Sequence, residues 1–255
     1  MKLIEALISG LVQGIAEFLP ISSSGHLVLV HKFFGFSEPG MFFDISLHAA
    51  TLGSVIIYLR KDLAAIIRGK NIRLILYLFV ATVPAVLAGL LFESKVEEFF
   101  TSSYKVAYMF MVTGAVLFAG QIALSRKEKA VRELNFRNSL FIGIAQACAI
   151  FPGISRSGVT ISSGISSGLE KDEAFRFSFL LMIPVVAGAA LYKAMSVDFG
   201  ALSHGQYMNY AAGMGTAFFT GICCLHILRK ILREKKLYIF AVYCLILGLF
   251  CLFIK

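Results

Sequence analysis

Charged side chains are scarce in this sequence: Asp, Glu, Lys and Arg make up 15% of its 255 residues. A soluble globular domain usually has about a quarter of its residues charged, so the composition excludes that class. Apolar residues account for 58% of the chain, and the mean hydropathy is +0.81. The sequence therefore predicts an integral membrane protein.

Cysteines are few, and a cleavage signal is missing. The five cysteines all lie within apolar runs: Cys148, Cys223, Cys224, Cys244 and Cys251. Such surroundings favour small hydrophobic side chains over a disulfide framework or a metal cluster. The N-terminal apolar run is interrupted by Glu5, Gln13 and Glu17, and no small-x-small cleavage site follows it. We therefore expect no cleaved signal peptide.

Basic residues outnumber acidic ones by 24 to 15, which gives a net charge of +9. They cluster in short loops between apolar stretches, as the positive-inside rule describes, so we expect anionic lipid head groups and no nucleic acid as partners. With the N-terminus outside the cytoplasm, one face of the membrane receives 17 of the 24 basic residues: Arg60, Lys61, Arg68, Lys70, Arg73, Arg126, Lys127, Lys129, Arg132, Arg137, Lys171, Arg176, Arg229, Lys230, Arg233, Lys235 and Lys236. This bias predicts that both termini lie outside the cytoplasm.

One polar stretch occurs twice in the chain. Residues 10–25 and 143–158 align without gaps, and half of the sixteen positions are identical. The copies differ at two aligned positions that carry chemistry: Glu17 corresponds to Ile150, and Ser23 corresponds to Arg156. Interrupted hydrophobic segments at corresponding places in two halves are typical of inverted repeats with a site at the membrane midplane. The repetition therefore predicts a duplicated architecture.

Each copy lies in a segment whose helical arms are shorter than the roughly 20 residues that span a bilayer. We predict two re-entrant helix-loop-helix hairpins, over residues 3–36 and 138–170, broken at Pro20 and at Pro152. About six transmembrane spans complete the chain, at residues 41–59, 73–92, 105–125, 175–195, 207–228 and 237–254.

The predicted fold is an all-α integral membrane protein with an inverted-topology repeat. It forms a single membrane domain over residues 1–255, with internal repeats at about 1–125 and 138–255. The first hairpin then enters from outside and the second from the cytoplasm, because three spans separate them. We expect their tips to meet near the midplane.

Serine and glycine follow the break in each hairpin. Backbone that is not helical at membrane depth is tolerated only where it is buried in protein or lines a water-filled cavity. Each serine and glycine run also opens a short helix, whose free N–H groups favour anions, phosphate above all. With Arg156 available for bidentate contact, the two ends predict a site for phosphate or diphosphate.

Reactive side chains lie beside this predicted anion site. Ser23 is a candidate nucleophile, and His26, one helical turn further on, is a candidate proton carrier. Glu17 is a candidate for orienting the histidine, for acting as a base or for binding a divalent cation. Gln13 lies four residues before Glu17 on the same helix face and is a candidate for adding an amide oxygen to the metal.

Structural alternatives exist for several of these residues. Asp44 and His48 share a helix face and pair more readily with each other than they act in catalysis. Glu17 and Arg156 are different, because an ionisable side chain at membrane depth costs several kcal/mol and is functional by default. Serines in membrane helices often only permit close packing, and both interpretations stay open for Ser22, Ser24, Ser155, Ser157, Ser162 and Ser163.

The two motifs together resemble a known family. Residues 13–26, QGIAEFLPISSSGH, resemble its first motif, (E/Q)GxxEFLP(V/I)SS(S/T)GH. Residues 152–160, PGISRSGVT, resemble its second, PGxSRSGxT. The family is that of the bacterial undecaprenyl-diphosphate phosphatases, also called bacitracin-resistance proteins. The hydrophobic layout is similar along nearly the whole chain.

The resemblance implies hydrolysis of a C55 isoprenyl diphosphate to the monophosphate and phosphate, dependent on a divalent cation, Mg²⁺ or Ca²⁺. This reaction recycles the lipid carrier of cell-wall synthesis and confers bacitracin resistance. The resemblance also implies a multi-pass protein of the bacterial cytoplasmic membrane, with its active site facing the outer side.

Residue by residue, the resemblance implies roles for both motifs. Glu17 matches the second acidic position, Ser23 the proposed nucleophile, His26 the catalytic histidine and Arg156 the phosphate-binding arginine. Gln13 takes the first acidic position, so a metal held by two carboxylates of this motif is not expected, whereas Glu17 with phosphate oxygens and water is compatible with one. The expected phosphate contacts are Ser22, Ser24, Gly25, Ser155, Ser157, Gly158 and Thr160.

Alternatives remain open for mechanism and for function. Ser23 attacks the terminal phosphorus, or water activated by Glu17 or His26 does so. A transporter or flippase for polyprenyl phosphate is the alternative function, because broken helices in inverted repeats also carry substrates. His26 near Ser23 favours the enzyme, since a carrier needs an anion site and no activated hydroxyl. A homodimer is compatible with the sequence.

Overall fold

The computed structural model describes residues 1–36, 41–126, 133–195 and 204–253. These residues form an all-helical chain, as the composition predicts. A 3₁₀ turn, Cys148–Ile150, follows the eighth of the α-helices, which in chain order are α1 (Leu3–Phe18), α2 (Ser23–Phe34), α3 (Met41–Tyr58), α4 (Arg60–Ile67), α5 (Ile72–Leu91), α6 (Glu93–Phe100), α7 (Ser103–Ser125), α8 (Phe136–Ala147), α9 (Arg156–Ser166), α10 (Lys171–Ala194), α11 (His204–Arg233) and α12 (Tyr238–Phe253).

Membrane-spanning length is reached by α5, α7, α10 and α11, which are the four such helices within the described residues. They coincide with four of the predicted spans. A fifth span is possible by length if α3 and α4, which meet at an angle of 76°, are taken together. The predicted span at 237–254 corresponds to α12, which is apolar but only 16 residues long. Helix length therefore supports four or five of the six predicted spans among the described residues.

The two predicted hairpins each consist of a helix, a break and a second helix. In the first, α1 ends at Phe18 and α2 begins at Ser23, with Pro20 between them. In the second, the turn after α8 leads through Pro152 to α9. Proline lacks the N–H that would continue a helix, and in each break it lies close to serine and glycine. Pro84 and Pro184 lie inside the continuous helices α5 and α10, so proline contributes to the paired breaks without being sufficient for them. The arms of each hairpin pack against each other.

Glycines let each first arm approach a long helix closely. A Cβ atom on Gly10 of α1 would lie 2.2 Å from the Gly213 carbonyl oxygen of α11. A Cβ atom on Gly143 of α8 would lie 2.6 Å from the Ala81 carbonyl oxygen of α5. Neither position accepts a larger residue without movement of a backbone. The aligned glycines therefore seat the two hairpins on α11 and α5.

Candidate active site

The tips of the two hairpins are in direct contact. The Gly153 N–H donates to Ser22 Oγ at 3.1 Å, across 131 residues of sequence. A Cβ atom on Gly25 would lie 2.9 Å from Gly153 Cα and 2.7 Å from Phe110 Cζ, so the tips meet only because residue 25 is glycine. The prediction that the tips meet is confirmed, and the two motifs form one site.

Ser22 holds an unusual backbone conformation at this contact. Its φ angle is 69°, in a region that costs a residue other than glycine about 1–3 kcal/mol. Its hydroxyl accepts from the Gly25 N–H at 3.4 Å as well as from Gly153. Ser22 thus caps α2 and joins the two tips, which compensates for the strain.

Glu17 lies at the centre of the site and is 8% exposed. One carboxylate oxygen, Oε1, accepts from Arg156 Nη2. The other, Oε2, accepts from the Ser23 hydroxyl at 2.6 Å and from Gln13 Nε2 at 3.2 Å. Because removing one partner of a buried ion pair is strongly destabilising, Glu17 and Arg156 also tie the two hairpins together.

Gln13 connects Glu17 to His48. A carboxylate can only accept hydrogen bonds, so Gln13 must present its NH₂ group to Glu17. The same nitrogen lies 3.0 Å from His48 Nδ1, and His48 Nδ1 lies 3.7 Å from Glu17 Oε2. The sequence favoured a structural pairing of His48 with Asp44, which stays a prediction. The structure brings His48, on α3, to the edge of the site.

His26 does not receive the proton of Ser23. The single hydroxyl proton of Ser23 is donated to Glu17. The ring nitrogens of His26 contact other groups: Nδ1 lies 2.8 Å from the Ser22 carbonyl oxygen, and Nε2 lies 2.7 Å from the Tyr243 hydroxyl of α12. The sequence placed His26 correctly one turn after Ser23, but the acceptor for the serine proton is Glu17.

Hydroxyl groups of the second tip mostly bond to the protein itself. The Ser155 hydroxyl accepts from the Gly158 N–H at 3.1 Å and caps α9. The Thr160 hydroxyl donates to the Arg156 carbonyl oxygen at 2.8 Å and lies 2.6 Å from Ser178 Oγ. Ser157 Oγ lies 3.3 Å from Ser155 Oγ. The phosphate contacts expected of Ser155, Ser157, Gly158 and Thr160 stay predictions.

Thr113 holds the second tip in place from α7. Its hydroxyl donates to the Gly153 carbonyl oxygen at 2.7 Å and accepts from the Ser155 N–H at 3.0 Å. Sequence reasoning did not find Thr113 or Tyr243 as members of the site, because each is a polar residue in an apolar span, and it left open whether His48 joins the site. No motif surrounds them.

Two buried polar atoms of the site lack hydrogen-bond partners within the described residues. They are Arg156 Nη1 and Gln13 Oε1. An unsatisfied buried polar group costs about 1–3 kcal/mol, and more when it is charged. Nη1 is a donor suited to an anion oxygen, and Oε1 is an acceptor suited to a cation or to water. The arrangement therefore offers one free donor and one free acceptor to a bound molecule.

Comparison with known proteins agrees with this geometry. The sequence model of the family described as "Bacitracin resistance protein BacA" matches residues 6–250. An undecaprenyl-diphosphatase of Moorella thermoacetica is 37% identical over 255 residues, covering 97% of this chain and 96% of that protein. Undecaprenyl-diphosphatases of Syntrophotalea carbinolica and Carboxydothermus hydrogenoformans are 38% and 40% identical, each covering 97% of this chain and 97% and 95% of the relative. The chain belongs to the bacitracin resistance protein BacA family.

Proposed function

We propose that the chain is a membrane-embedded undecaprenyl-diphosphatase, which hydrolyses undecaprenyl diphosphate to undecaprenyl phosphate and phosphate. Relatives of nearly the same length carry that name. The observation that carries the proposal is the connected series of Ser23, Glu17 and Arg156 in one buried site. It supports roles for them as nucleophile, proton acceptor and anion-binding group.

Ser23 is the proposed nucleophile, and Glu17 is its base. The Ser23 oxygen attacks the terminal phosphorus while its proton passes to Glu17 Oε2, already 2.6 Å away. The bond from phosphorus to the bridging oxygen breaks, and undecaprenyl phosphate leaves. A water molecule then attacks the phosphoserine, and protonated Glu17 returns its proton to the serine oxygen as the phosphorus–oxygen bond breaks. The freed carboxylate takes the proton of the attacking water and passes it to solvent, which restores Glu17. General base catalysis of this kind contributes about 10²–10⁴-fold.

Arg156 is the proposed phosphate-binding residue. Nη2 is committed to Glu17, and Nη1 is buried and free to donate to a phosphate oxygen within the described part of the site. A guanidinium is the side chain best suited to such a contact. The charge that develops on the transferred phosphoryl group is stabilised by this donor.

The N-terminal ends of α2 and α9 complete the proposed anion site. Both helices begin at the tips, and their first N–H groups favour negative charge. Ser24 is half-buried, and its hydroxyl lies 3.4 Å from Ser22 Oγ, which leaves it the freest hydroxyl of the first tip. We assign Ser24 and the backbone of Gly25 to the phosphate, with Ser22 and Ser155 shaping the tips.

A divalent cation, Mg²⁺ or Ca²⁺, fits the site only together with the substrate. The described residues include no cluster of three His, Cys, Asp or Glu side chains suited to a metal ion. Gln13 Oε1 is a buried acceptor without a partner beside Glu17 among the described residues, and Glu17 adds a carboxylate. Magnesium commonly combines one or two protein oxygens with substrate phosphates and water. The cation would neutralise phosphate charge, with Gln13 and Glu17 as its protein ligands.

The inverted repeat is part of the proposal. The aligned glycines Gly10 and Gly143 let α1 pack closely on α11 and α8 on α5. The first hairpin thus packs on a helix of the second half and the second hairpin on a helix of the first half, which fits two related halves. The bias of basic residues supports termini outside the cytoplasm. A site that opens to the outer side stays a prediction that the family resemblance implies. A homodimer remains a prediction.

Phosphate release by the purified protein in detergent tests the function. Wild-type protein should release phosphate from C15 and C55 isoprenyl diphosphates in the presence of Mg²⁺ or Ca²⁺ and not in a chelator. Arg156→Ala should abolish release. Arg137→Ala is the matched control, because Arg137 is exposed near the start of α8 and away from the tips. If the wild-type protein moved lipid phosphate across vesicle membranes but released no phosphate, the transporter would become the proposed function in place of the enzyme.

A further inference from the structure

Tyr243, on α12, contacts His26 although no motif in the sequence marks it. Its hydroxyl lies 2.7 Å from His26 Nε2. The two rings are nearly parallel, with 7° between their planes and 5.7 Å between their centroids. The residues are separated by 217 positions in the chain, so only the folded protein brings them together.

The remaining contacts of His26 fix which nitrogen carries its proton. Nδ1 lies 2.8 Å from the Ser22 carbonyl oxygen. A carbonyl oxygen can only accept, so Nδ1 bears a hydrogen. In the neutral ring Nε2 is then the acceptor, and the Tyr243 hydroxyl donates to it. Phe110 meets the imidazole edge-on at a centroid distance of 5.1 Å, which restrains the ring further.

Close packing of α7 against α12 holds the parts of this arrangement in position. A Cβ atom on Gly248 of α12 would lie 2.8 Å from the Ala107 carbonyl oxygen of α7. Phe110 lies one turn after Ala107, and Tyr243 lies on the turn of α12 before Gly248. The same helix pair therefore presents both aromatic rings to His26. A hydroxyl held by a rigid helix contact orients its partner at little entropic cost.

We propose that Tyr243 is a positioning residue for His26 in the phosphatase reaction. It orients the imidazole, whose Nδ1 proton is fixed by the Ser22 carbonyl oxygen, and keeps Nε2 as the nitrogen that exchanges protons. A tyrosine hydroxyl both donates and accepts, so the contact persists when Nε2 gains a proton. The inference rests on the proposed function. In that reaction Glu17 accepts the proton of Ser23, and His26 exchanges protons through Nε2.

The substitution Tyr243→Phe tests the inference, because it keeps the ring and removes the hydroxyl. We expect kcat to fall about tenfold, which corresponds to the net free energy of one hydrogen bond. KM should stay within about twofold of the wild-type value, because no proposed contact to the substrate phosphate is removed. Tyr238→Phe is the matched control on the same helix, where the tyrosine is 46% exposed. Its kcat should stay at the wild-type value.

A double-variant comparison shows whether Tyr243 acts through His26. In a His26→Gln background, Tyr243→Phe should bring no further loss of kcat, since the partner is already gone. A full additional tenfold loss would overturn the positioning role. So would wild-type kcat in the single Tyr243→Phe variant.

Nitrogen NMR of ¹⁵N-histidine-labelled protein gives a readout that needs no activity. The His26 signals are those that vanish in His26→Gln. Wild-type protein should show a protonated Nδ1 and a hydrogen-bonded, unprotonated Nε2. Tyr243→Phe should shift the Nε2 signal to that of an unprotonated nitrogen without a donor, while Nδ1 stays protonated against the Ser22 carbonyl oxygen. Unchanged signals would overturn the inference. A wild-type protein with these signals but no phosphate release would instead refute the proposed function alone.

Discussion

The Ser23 hydroxyl donates to Glu17 Oε2 at 2.6 Å, while the other oxygen of the same carboxylate accepts from Arg156. Glu17 therefore joins Ser23, the proposed nucleophile of the first hairpin, to the guanidinium of Arg156 in the second. Neither hairpin contains a complete site, because the first lacks the guanidinium and the second lacks the carboxylate.

Replacing the nucleophile should stop turnover. We expect Ser23→Ala to lower kcat by at least about 10³-fold, since covalent catalysis is lost, and to leave stability nearly unchanged. Ser125→Ala, at an exposed position at the end of α7, is the control. Rapid acid quenching of the wild type with ³²P-labelled substrate should trap phosphate on Ser23. Near-normal turnover by Ser23→Ala would show that water attacks the phosphorus directly.

Breaking the buried ion pair should destabilise the fold more than removing it altogether. Glu17→Ala leaves Arg156, whose side chain is 13% exposed, without its counter-ion, which costs about 3–5 kcal/mol. The double variant Glu17→Met/Arg156→Met should recover most of the thermal stability and none of the activity. Thermal unfolding in detergent measures the first effect and phosphate release the second. Equal melting temperatures for the single and double variants would contradict this account.

The hydroxyl of Thr113 should matter for stability and for the geometry of the second tip. Thr113→Val keeps the shape of the side chain but removes the hydroxyl that pairs with the Gly153 carbonyl and with the Ser155 N–H. Each buried group left unpaired costs about 1–3 kcal/mol. We expect a lower melting temperature and reduced kcat. Thr216→Val provides the comparison, because the Thr216 hydroxyl bonds only within its own helix. A similar small effect in both variants would refute the role of Thr113.

The contact between the tips should exclude any side chain at residue 25. A Cβ atom there would lie 2.7 Å from Phe110 Cζ and 2.9 Å from Gly153 Cα, and the backbone of Gly153 cannot move aside cheaply. Gly25→Ala should therefore inactivate the enzyme and lower its melting temperature. Gly188→Ala, where an added Cβ would meet nothing within 4 Å, should be tolerated. An active Gly25→Ala variant would mean that the tips are held less closely.

Gln13→Glu should change how the enzyme depends on the divalent cation. The substitution puts a second carboxylate beside Glu17, and two carboxylates bind Mg²⁺ more tightly than one carboxylate and one amide oxygen. We expect the Mg²⁺ concentration for half-maximal phosphate release to fall several-fold, and Gln13→Met to raise it. Asn209→Asp on α11 controls for added negative charge away from the tips. An unchanged Mg²⁺ dependence in both Gln13 variants would remove Gln13 from the cation site.

The sequence by itself determined the membrane environment, the two broken segments and the meeting of the two tips that carry Glu17 and Arg156. These follow from local physics: an apolar chain needs a bilayer, proline breaks a helix, and a charge at membrane depth needs a counter-charge or a function. The short helices α4 and α6 were not predicted, because eight residues hold too few turns for a readable periodic pattern.

Only the tertiary structure decided which group receives the proton of Ser23 and which residues surround His26. Ser23 and His26 are neighbours on one helix, and spacing alone made the histidine a plausible acceptor. The choice of Glu17 depends on how α2 folds back against α1 after the break at Pro20, which brings the start of α2 to the end of α1. Thr113 and Tyr243 join the site from other helices, and a single polar residue in an apolar span has no local signal that distinguishes a site from a packing position.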